Sequence, residues 1–350
     1  MTETERLSDA ATALLYWYPT AARKLPWRED PTPYHVWISE IMLQQTRVEA
    51  VKPYYARFLE VLPTPAALAE VSDDALNKLW QGLGYYTRAR NLKKAAQVIV
   101  RDHGGELPRT YAELRALPGV GAYTAGAIAS IAMGLPEPAV DGNVLRVVTR
   151  VLSDGADILK QTTKDRITAL LRNVYPKIPE DARTLTQALM ELGATVCAPN
   201  GAPHCDTCPL ADLCTAHKEG RETEFPKKTP KKARVIEERT VFLLVSDGRY
   251  AIGKRPERGL LAGLWEFPSA DGVLSGKEAL LWAEKNGFSP AGEPEKLPQA
   301  VHIFTHREWH MTGWRIPTAS IPEPYVSASR EEIYDTYCIP SALRAYRMML

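Results

Sequence analysis

A helical domain followed by an α+β domain is the architecture that the sequence predicts, on three observations. The chain has 350 residues, long for one hydrophobic core and comfortable for two. From residue 7 to about 196 the apolar positions recur at helical spacing between Pro and Gly breaks, whereas beyond residue 239 the period drops to two or to short apolar runs. Between them, residues 221–239 hold seven basic and four acidic residues and two prolines, a composition that reads as a solvated tether more than as a dedicated nucleic-acid contact. The expected division is a helical domain over 1–220, a basic linker over 221–236 and a second domain over 237–350.

Composition limits the class of protein. With 45% hydrophobic and 24% charged residues the chain is of ordinary globular type, and a formal net charge of +1 leaves any contact with a polyanion to local patches. No basic segment and apolar core precede a cleavage site, and the longest nearly apolar run, 122–135, is too short and Gly-rich to span a bilayer. A cytoplasmic enzyme or binder, without a membrane partner, is expected.

The elements follow in order. Leu7, Ala11, Leu14, Leu15 and Tyr18 mark the first helix. Pro33, just after Thr32, opens a second that carries HVWISEIMLQQ; segments after Pro53, Pro65 and Asp73, and residues 88–102, supply more. In LPGVGAYTAGAIAS, Pro118, Gly119 and Gly121 make a tight hairpin, and the small residues Ala125, Gly126, Ala129 and Ala132 continue as a helix. The unpaired N–H groups at such a helix start suit an anion, and with no Walker lysine nearby a nucleic-acid phosphate fits better than a nucleotide. Pro136 and Pro138 end that helix, and Asp141 precedes NVLRVVTRVL, where by position alone it reads as an N-cap. In the second domain RTVFLLVS, RYAIGKR, GLWEFP and AVHIFTHREWHMTGWRI are strand candidates, with a helix over 277–286.

Two groups of residues suggest chemistry. Four of the five cysteines, Cys197, Cys205, Cys208 and Cys214, are separated by seven, two and five residues. In a reducing compartment that spacing argues for metal or cluster ligation over disulfides, and it suits tetrahedral zinc and a four-iron cluster equally. Cys338 reads as a buried small hydrophobe. Glu40 lies within an apolar stretch beside Trp37 and Ile41; it reads either as a surface residue turned outward or as a functional carboxylate.

Residues 117–146 resemble the helix-hairpin-helix and following aspartate of the DNA glycosylase superfamily that includes endonuclease III, and further motifs narrow the resemblance to MutY-type adenine DNA glycosylases over nearly the whole chain. The resemblance implies a helix-hairpin-helix glycosylase domain with an iron-sulfur subdomain (cluster loop 197–214) and a C-terminal α+β Nudix-like domain. It implies Glu40 as general acid, Asp141 as the anion beside the sugar with Asn143 next to it, and Trp27, Arg28 and Glu191 as adenine contacts. Gln44, Gln45 and Thr46 would face the DNA opposite the flipped base, with Gln44 one turn from Glu40 on the same helix face. Breaking an N-glycosidic bond needs a protonated acid for the base and a charged one for the oxocarbenium-like sugar; desolvation should raise the Glu40 pKa, and capping N–H bonds should keep Asp141 ionised.

Tyr123 stands where the endonuclease III branch has a Schiff-base lysine, which implies a monofunctional enzyme. Tyr85 resembles the family's aromatic wedge, with Arg88, Arg90, Lys93 and Lys94 forming a phosphate patch after it, and Gly119 and Gly121 shape the DNA-binding hairpin. The cysteines would hold a [4Fe-4S] cluster, although the first gap is one residue longer than usual. Phe304, Thr305 and His306 resemble a Phe-Ser-His loop that reads 8-oxoguanine, with Thr in place of Ser. A Nudix hydrolase signature is missing, since Leu280, Leu281, Glu284 and Lys285 occupy its positions before Gly287 and leave too few carboxylates for Mg²⁺. The implied activity is removal of adenine mispaired with 8-oxoguanine, and less well with guanine, from duplex DNA by a monomer. A chain ending near Glu222 is expected to keep excision and lose the preference for 8-oxoguanine. The alternatives are a pyrimidine-damage glycosylase and lyase, which Tyr123 opposes, and a non-catalytic DNA-binding or redox module, which would leave Glu40 or Asp141 exposed.

Overall fold

The chain is described by a computed structural model over residues 1–230 and 233–350; Lys231 and Lys232 of the expected linker lie outside the described residues. Two compact units form, and each is built from two separate stretches of chain. Met1–Glu70 with Asn91–Pro230 make the first, and Val71–Arg90 with Lys231–Leu350 make the second.

The first unit is helical. It holds α1 (Glu3–Ala21), α2 (Pro26–Glu29), α3 (Pro33–Leu43), α4 (Val48–Val61) and α5 (Pro65–Glu70). The next helix, α6 (Asp73–Trp80), falls in the second unit, and α7 (Thr87–His103) begins there. The rest of the first unit comprises α8 (Tyr111–Ala116), α9 (Ala122–Ala127), α10 (Gly142–Leu152), α11 (Gln161–Val174), α12 (Pro179–Thr195) and α13 (Thr215–Lys218). Thr32 caps α3 as its sequence suggests, its hydroxyl accepting from His35 N at 3.2 Å. The apolar stripe Leu7, Ala10, Ala11 and Leu14 of α1 packs with Val147, Val148 and Val151 of α10 and Leu185, Leu189 and Leu192 of α12. Truncating the buried Leu14 to Ala would cost about 2–5 kcal/mol, because the site is closed on every side.

Two glycines decide where the chain after the hairpin goes. Gly119 has φ 75°, and a Cβ there would lie 2.6 Å from Asn91 Cβ. A Cβ on Gly126 would lie 2.4 Å from the Pro138 carbonyl oxygen, so only glycine lets the returning chain pass against α9. That return brings Asp141 to the start of α10. A π-helical turn at Ile128–Ala132 ends the helix that α9 begins.

The second unit is α+β. Its sheet is formed by β1 (Val235–Ser246), β2 (Arg249–Lys254), β3 (Trp265–Glu266), β4 (Ser269–Asp271), β5 (Glu295–Ile303), β6 (Arg307–Pro317) and β7 (Val326–Ala328). The order is β3-β2-β1-β6-β5, with β4 on β1 and β7 on β2. β1 and β6 run parallel from Val235↔Arg307 to Val245↔Pro317, and the other pairs are antiparallel. Residues 240–244 are buried on both faces, which is why they read as a continuous apolar run. Val241 and Leu243 pack with Ile333 and Tyr346, while Phe242 and Leu244 pack with Ala279 and Ala283 of α14 (Gly276–Lys285). The long candidate AVHIFTHREWHMTGWRI is a hairpin of β5 and β6 turning at 304–306. The short β4, β7 and α15 (Arg330–Asp335) were not legible in the sequence, being too brief to show a period.

The segment 71–90 departs from the expected division at residue 220, and its partners give the reason. Gln81 Nε2 donates to Ile339 O at 2.8 Å, Arg90 Nη1 to Ala262 O at 2.7 Å, and Trp265 Nε1 to Asp74 at 3.2 Å. Cys338 is buried, as expected, and its thiol donates to Asn77 O at 3.2 Å. The expected free tether is also corrected. Phe225 is buried, Ile158 N donates to Lys227 O at 3.2 Å, and Thr229 N donates to Asp157 at 3.2 Å, so 225–229 are held on the first unit. Among the described residues no helix is long and apolar enough to cross a membrane.

Candidate active site

A cleft of about 1160 Å³ in the first unit is lined by Trp27, Arg28, Glu40, Gln44, Gln45, Thr46, Tyr123, Asp141, Asn143 and Glu191. Segments far apart in sequence therefore deliver ten of the expected residues to one place. Gly119 and Gly121 shape the adjacent hairpin and are not part of the lining.

Glu40 sits in the middle of α3 and is 5% exposed, so the outward-turned alternative is not what forms. The Tyr123 hydroxyl donates to its Oε2. Burial pushes the Glu40 carboxyl up to about 7, the Tyr123 hydrogen bond works against the rise, the Asp141 charge adds to it, and Arg28 opposes it. Asp141 is the N-cap of α10: Val144 N donates to Oδ1 at 2.8 Å and Asn143 Nδ2 to Oδ2 at 2.8 Å. Capping alone does not govern Asp141, because burial is the largest influence and raises its pKa, with the two caps and the Arg146 charge opposing.

Gln44 needs a second correction. α3 ends at Leu43, so Gln44 is its C-cap and Gln45 follows at φ 59°, and the face shared with Glu40 is not helical to its end. Gln44 Nε2 instead donates to Thr124 Oγ1 at 3.4 Å, and Gln44 and Gln45 still line the cleft.

Glu191, also in the lining, is fully buried and held by two arginines. Arg23 Nε and Nη2 donate to it at 2.6 and 3.0 Å, and Arg28 Nη2 at 2.7 Å. Burial by itself would raise the Glu191 carboxyl, but these hydrogen bonds outweigh it and the pKa is lowered. Arg28 also lies 5.6 Å from the centroid of Tyr18, whose hydroxyl donates to Gln187 at 3.1 Å, and Trp27 meets Tyr55 edge-on at 5.6 Å. Sequence reasoning missed Arg23.

It also missed a buried hydrogen-bond chain behind Asp141. Arg146 Nη2 donates to Asn143 Oδ1 at 2.9 Å and to Gly193 O at 2.6 Å, and its Nε donates to Cys197 O at 2.7 Å. Arg150 Nη1 then donates to Cys197 Sγ at 3.2 Å. The signal was available: two arginines four residues apart in NVLRVVTRVL fall on the buried side of an otherwise apolar helix.

The four cysteines line one small cavity walled by Val147, Val151, Leu192 and Val196, and all are free thiols. Burial pushes the Cys205 thiol up to about 12 and Cys208 to about 11, so ionised ligands there call for a bound cation. The donor set suits one: four soft sulfurs, an apolar wall, and N–H donors to sulfur from Arg150 and from Leu210 N at 3.4 Å from Cys208 Sγ. His217 and Glu222, which the sequence did not single out, place ligand-capable atoms within 4.8 Å of the Cys205 sulfur.

In the second unit the loop 304–306 joins β5 to β6. Phe304 N donates to Arg307 O at 2.8 Å, and the Phe304 ring packs on Trp309 at 5.0 Å, leaving Thr305 and His306 exposed. Tyr85 lies in the same unit. Arg88, expected in a phosphate patch, is instead half-buried, with Nη2 donating to Leu83 O at 3.0 Å and Gly84 O at 3.1 Å; burial lowers its pKa to about 10.

Comparison with known proteins agrees with this geometry. Residues 38–177 match the HhH-GPD superfamily base excision DNA repair proteins, and residues 240–347 match the NUDIX domain. Adenine DNA glycosylase of Rattus norvegicus is 37% identical over 351 residues, covering 84% of this chain and 67% of its own. That of Homo sapiens is 37% identical over 357 residues, covering 84% of this chain and 64% of its own, so this chain spans about two thirds of the mammalian relatives' length. Adenine DNA glycosylase of Buchnera aphidicola subsp. Schizaphis graminum is 33% identical over 300 residues, covering 85% of this chain and 84% of its own. Among solved structures, a thermostable thymine-DNA glycosylase superposes with TM-score 0.55 at 27% identity, covering 61% of this chain and 98% of its own. A trapped endonuclease III–DNA covalent intermediate gives TM-score 0.53 at 27% identity, covering 63% and 99%. With the buried Glu40 and the half-buried Asp141 in the cleft of a helix-hairpin-helix unit and a Nudix-like unit after it, this chain belongs to the adenine DNA glycosylase family of base excision repair enzymes.

Proposed function

We propose that this protein removes adenine mispaired with 8-oxoguanine, and less well with guanine, by hydrolysing the N-glycosidic bond of a flipped-out nucleotide without cutting the strand. The observation that carries the proposal is the pairing of Glu40, pushed up to about 7, with Asp141 held by two N–H donors in the same cleft. Flipping adenine costs a few kcal/mol, least when its pairing is already wrong. Trp27, Arg28 and Glu191 then receive the base, Glu40 donates the proton that makes it a neutral leaving group, and Asp141 faces the positive charge that develops on the sugar. Asp141 takes the charged role because two N–H groups solvate its carboxylate, whereas Glu40 receives one phenol. Tyr123 cannot form a Schiff base, which supports glycosylase chemistry without strand cleavage. The burial of Glu40 and the place of Asp141 in the same cleft weigh against a non-catalytic binding module.

Cys197, Cys205, Cys208 and Cys214 would hold a [4Fe-4S] cluster, whose part here is to cross-link residues 197–214. Gln44, Gln45 and Thr46 would meet the duplex, and Phe304, Thr305 and His306 would read the opposite base, the protein acting as a monomer. The test is incubation with duplexes holding adenine opposite 8-oxoguanine, guanine or thymine. Base release with strand breaks only after alkali is expected; breaks without alkali, or borohydride trapping of the protein on DNA, would overturn the monofunctional assignment. Truncation near Glu222 is a poorer test than it looks from sequence. It removes the buried Phe225 and strips segment 71–90 of its hydrogen-bond partners, so a point change in the reading loop separates the functions more cleanly.

A further inference from the structure

His217 and Glu222 line the same cavity as the four cysteines, and they gather at one corner of it. The Cys205 thiol donates to Glu222 Oε1 at 3.7 Å, His217 Nδ1 lies 2.5 Å from the same oxygen, and the three ligand atoms fall within 4.8 Å of one another. The backbone brings them there. α13 follows Cys214 directly; Gly220 then takes φ 66°, its N–H donates to His217 O at 3.0 Å, and Arg221 N donates to Ala216 O at 2.8 Å, which turns the chain back and returns Glu222 to His217. Just beyond, Phe225 is buried and its carbonyl accepts from Arg150 Nε at 3.1 Å, so the returning segment is anchored on both sides.

This corner differs from the other three. Arg150 Nη1 donates to Cys197 Sγ, Leu210 N donates to Cys208 Sγ, and Cys214 lies against the backbone N–H groups of Ala216 and His217. Such donors steady a thiolate that holds a metal. Among the described residues Cys205 has none; it faces a carboxylate, whose charge opposes a neighbouring thiolate. Carboxylate and imidazole are themselves ligands for iron. We propose that Glu222, held by His217, is a reserve ligand: its carboxylate oxygen takes the iron at the Cys205 corner when the Cys205 thiolate is absent or detached, one anionic ligand replacing another. This inference rests on the reading of the cavity as a [4Fe-4S] site.

The test uses the full chain purified without air, as wild type, Cys205→Ala, Cys208→Ala, and Cys205→Ala combined with Glu222→Gln or with His204→Gln; iron and sulfide per chain and the visible absorption are measured. Cys205→Ala should keep the wild-type iron, with weaker absorption per iron because one thiolate-to-iron transition is gone, whereas Cys208→Ala should lose most of it. Adding Glu222→Gln to Cys205→Ala should remove the cluster, and adding His204→Gln, which lines the cavity outside the group of three, should not. A Cys205→Ala protein short of the corner iron, or one that keeps its cluster after Glu222→Gln, would overturn the inference and leave the cluster assignment in place. Zinc and no colour in wild type would overturn both. A second measurement changes no cysteine and so holds even where Cys205→Ala fails to fold. Glu222→Gln alone keeps the shape of the side chain but not its charge, and it should surrender iron to a chelator roughly tenfold faster than wild type, near the lower end of what partners of metal ligands contribute. An equal rate would overturn the inference by itself.

Discussion

The cleft of the first unit and the reading loop of the second use the same polar groups in opposite settings. In the cleft, Glu40 and Glu191 are buried and Asp141 is half-buried, and each carboxyl is moved from its ordinary pKa by desolvation set against a particular partner. In the loop, Thr305 and His306 are exposed to solvent. The difference teaches where selectivity has to come from. A buried acid is tuned before substrate arrives, whereas an exposed hydroxyl acquires direction only from a neighbour or from the DNA.

The contrast breaks most sharply at the carboxyl groups. Glu40→Gln and Asp141→Asn are each expected to lower single-turnover excision by about 10²–10⁴-fold with duplex binding largely kept, since each removes a proton donor or a charge and not a contact surface. Near-normal rates in either variant would remove that residue from its role. Next comes the support behind the cleft. Arg146→Leu leaves Gly193 O, Cys197 O and Asn143 Oδ1 without this donor, at about 1–3 kcal/mol for each buried acceptor. A lower melting temperature and roughly a 10–100-fold loss of rate are expected, and a variant that melts and reacts like wild type would show the chain behind Asp141 to be idle.

In the exposed region the effects should be smaller and confined to discrimination. Thr305→Ala is expected to cost about fivefold in the 8-oxoguanine to guanine rate ratio, near the lower end of what a base contact supplies. If its rate opposite guanine falls in step, the two regions are not separable in this way.

The smallest effect is a shift of pH profile. In the proposed role Glu40 acts protonated and titrates near 7, so the excision rate should fall above that pH, while the raised Asp141 moves the acid limb upward. Tyr123→Phe removes a hydrogen bond that stabilises the Glu40 carboxylate, so the alkaline limb should move up. A downward move would mean that Tyr123 stabilises the neutral acid. Stability carries the same sign: because burial raises Glu40 from 4.5 to about 7, its contribution is fullest below 4.5 and is lost as pH rises through 7, and melting temperatures of wild type and Glu40→Gln should diverge over that window.

Much was legible without coordinates, because it is written locally. Thr32 before Pro33 announces the start of α3, the small residues after Gly121 announce a close-packed helix, and the change from helical to alternating period near residue 239 announces the sheet. The resemblance then led to ten residues that one cleft brings together. Arg23, Arg146, Arg150, His217 and Glu222 were overlooked because their partners are Glu191, Cys197 and Cys205, whose nearness is a matter of packing and not of spacing along the chain.

Sequence by itself determined the helical and mixed halves and the cysteine group, since period, caps and residue type are local properties of a chain, and only its resemblance to a family pointed to Glu40 and Asp141 as the two acids. Tertiary structure alone decided that Asp141 is raised, that Arg88 is a scaffold for a turn, and that Tyr85 and the rest of 71–90 belong with the second unit. Burial and hydrogen-bond partnership depend on which distant segments meet, and an amphipathic period reveals that a helix has a buried face without revealing what will cover it.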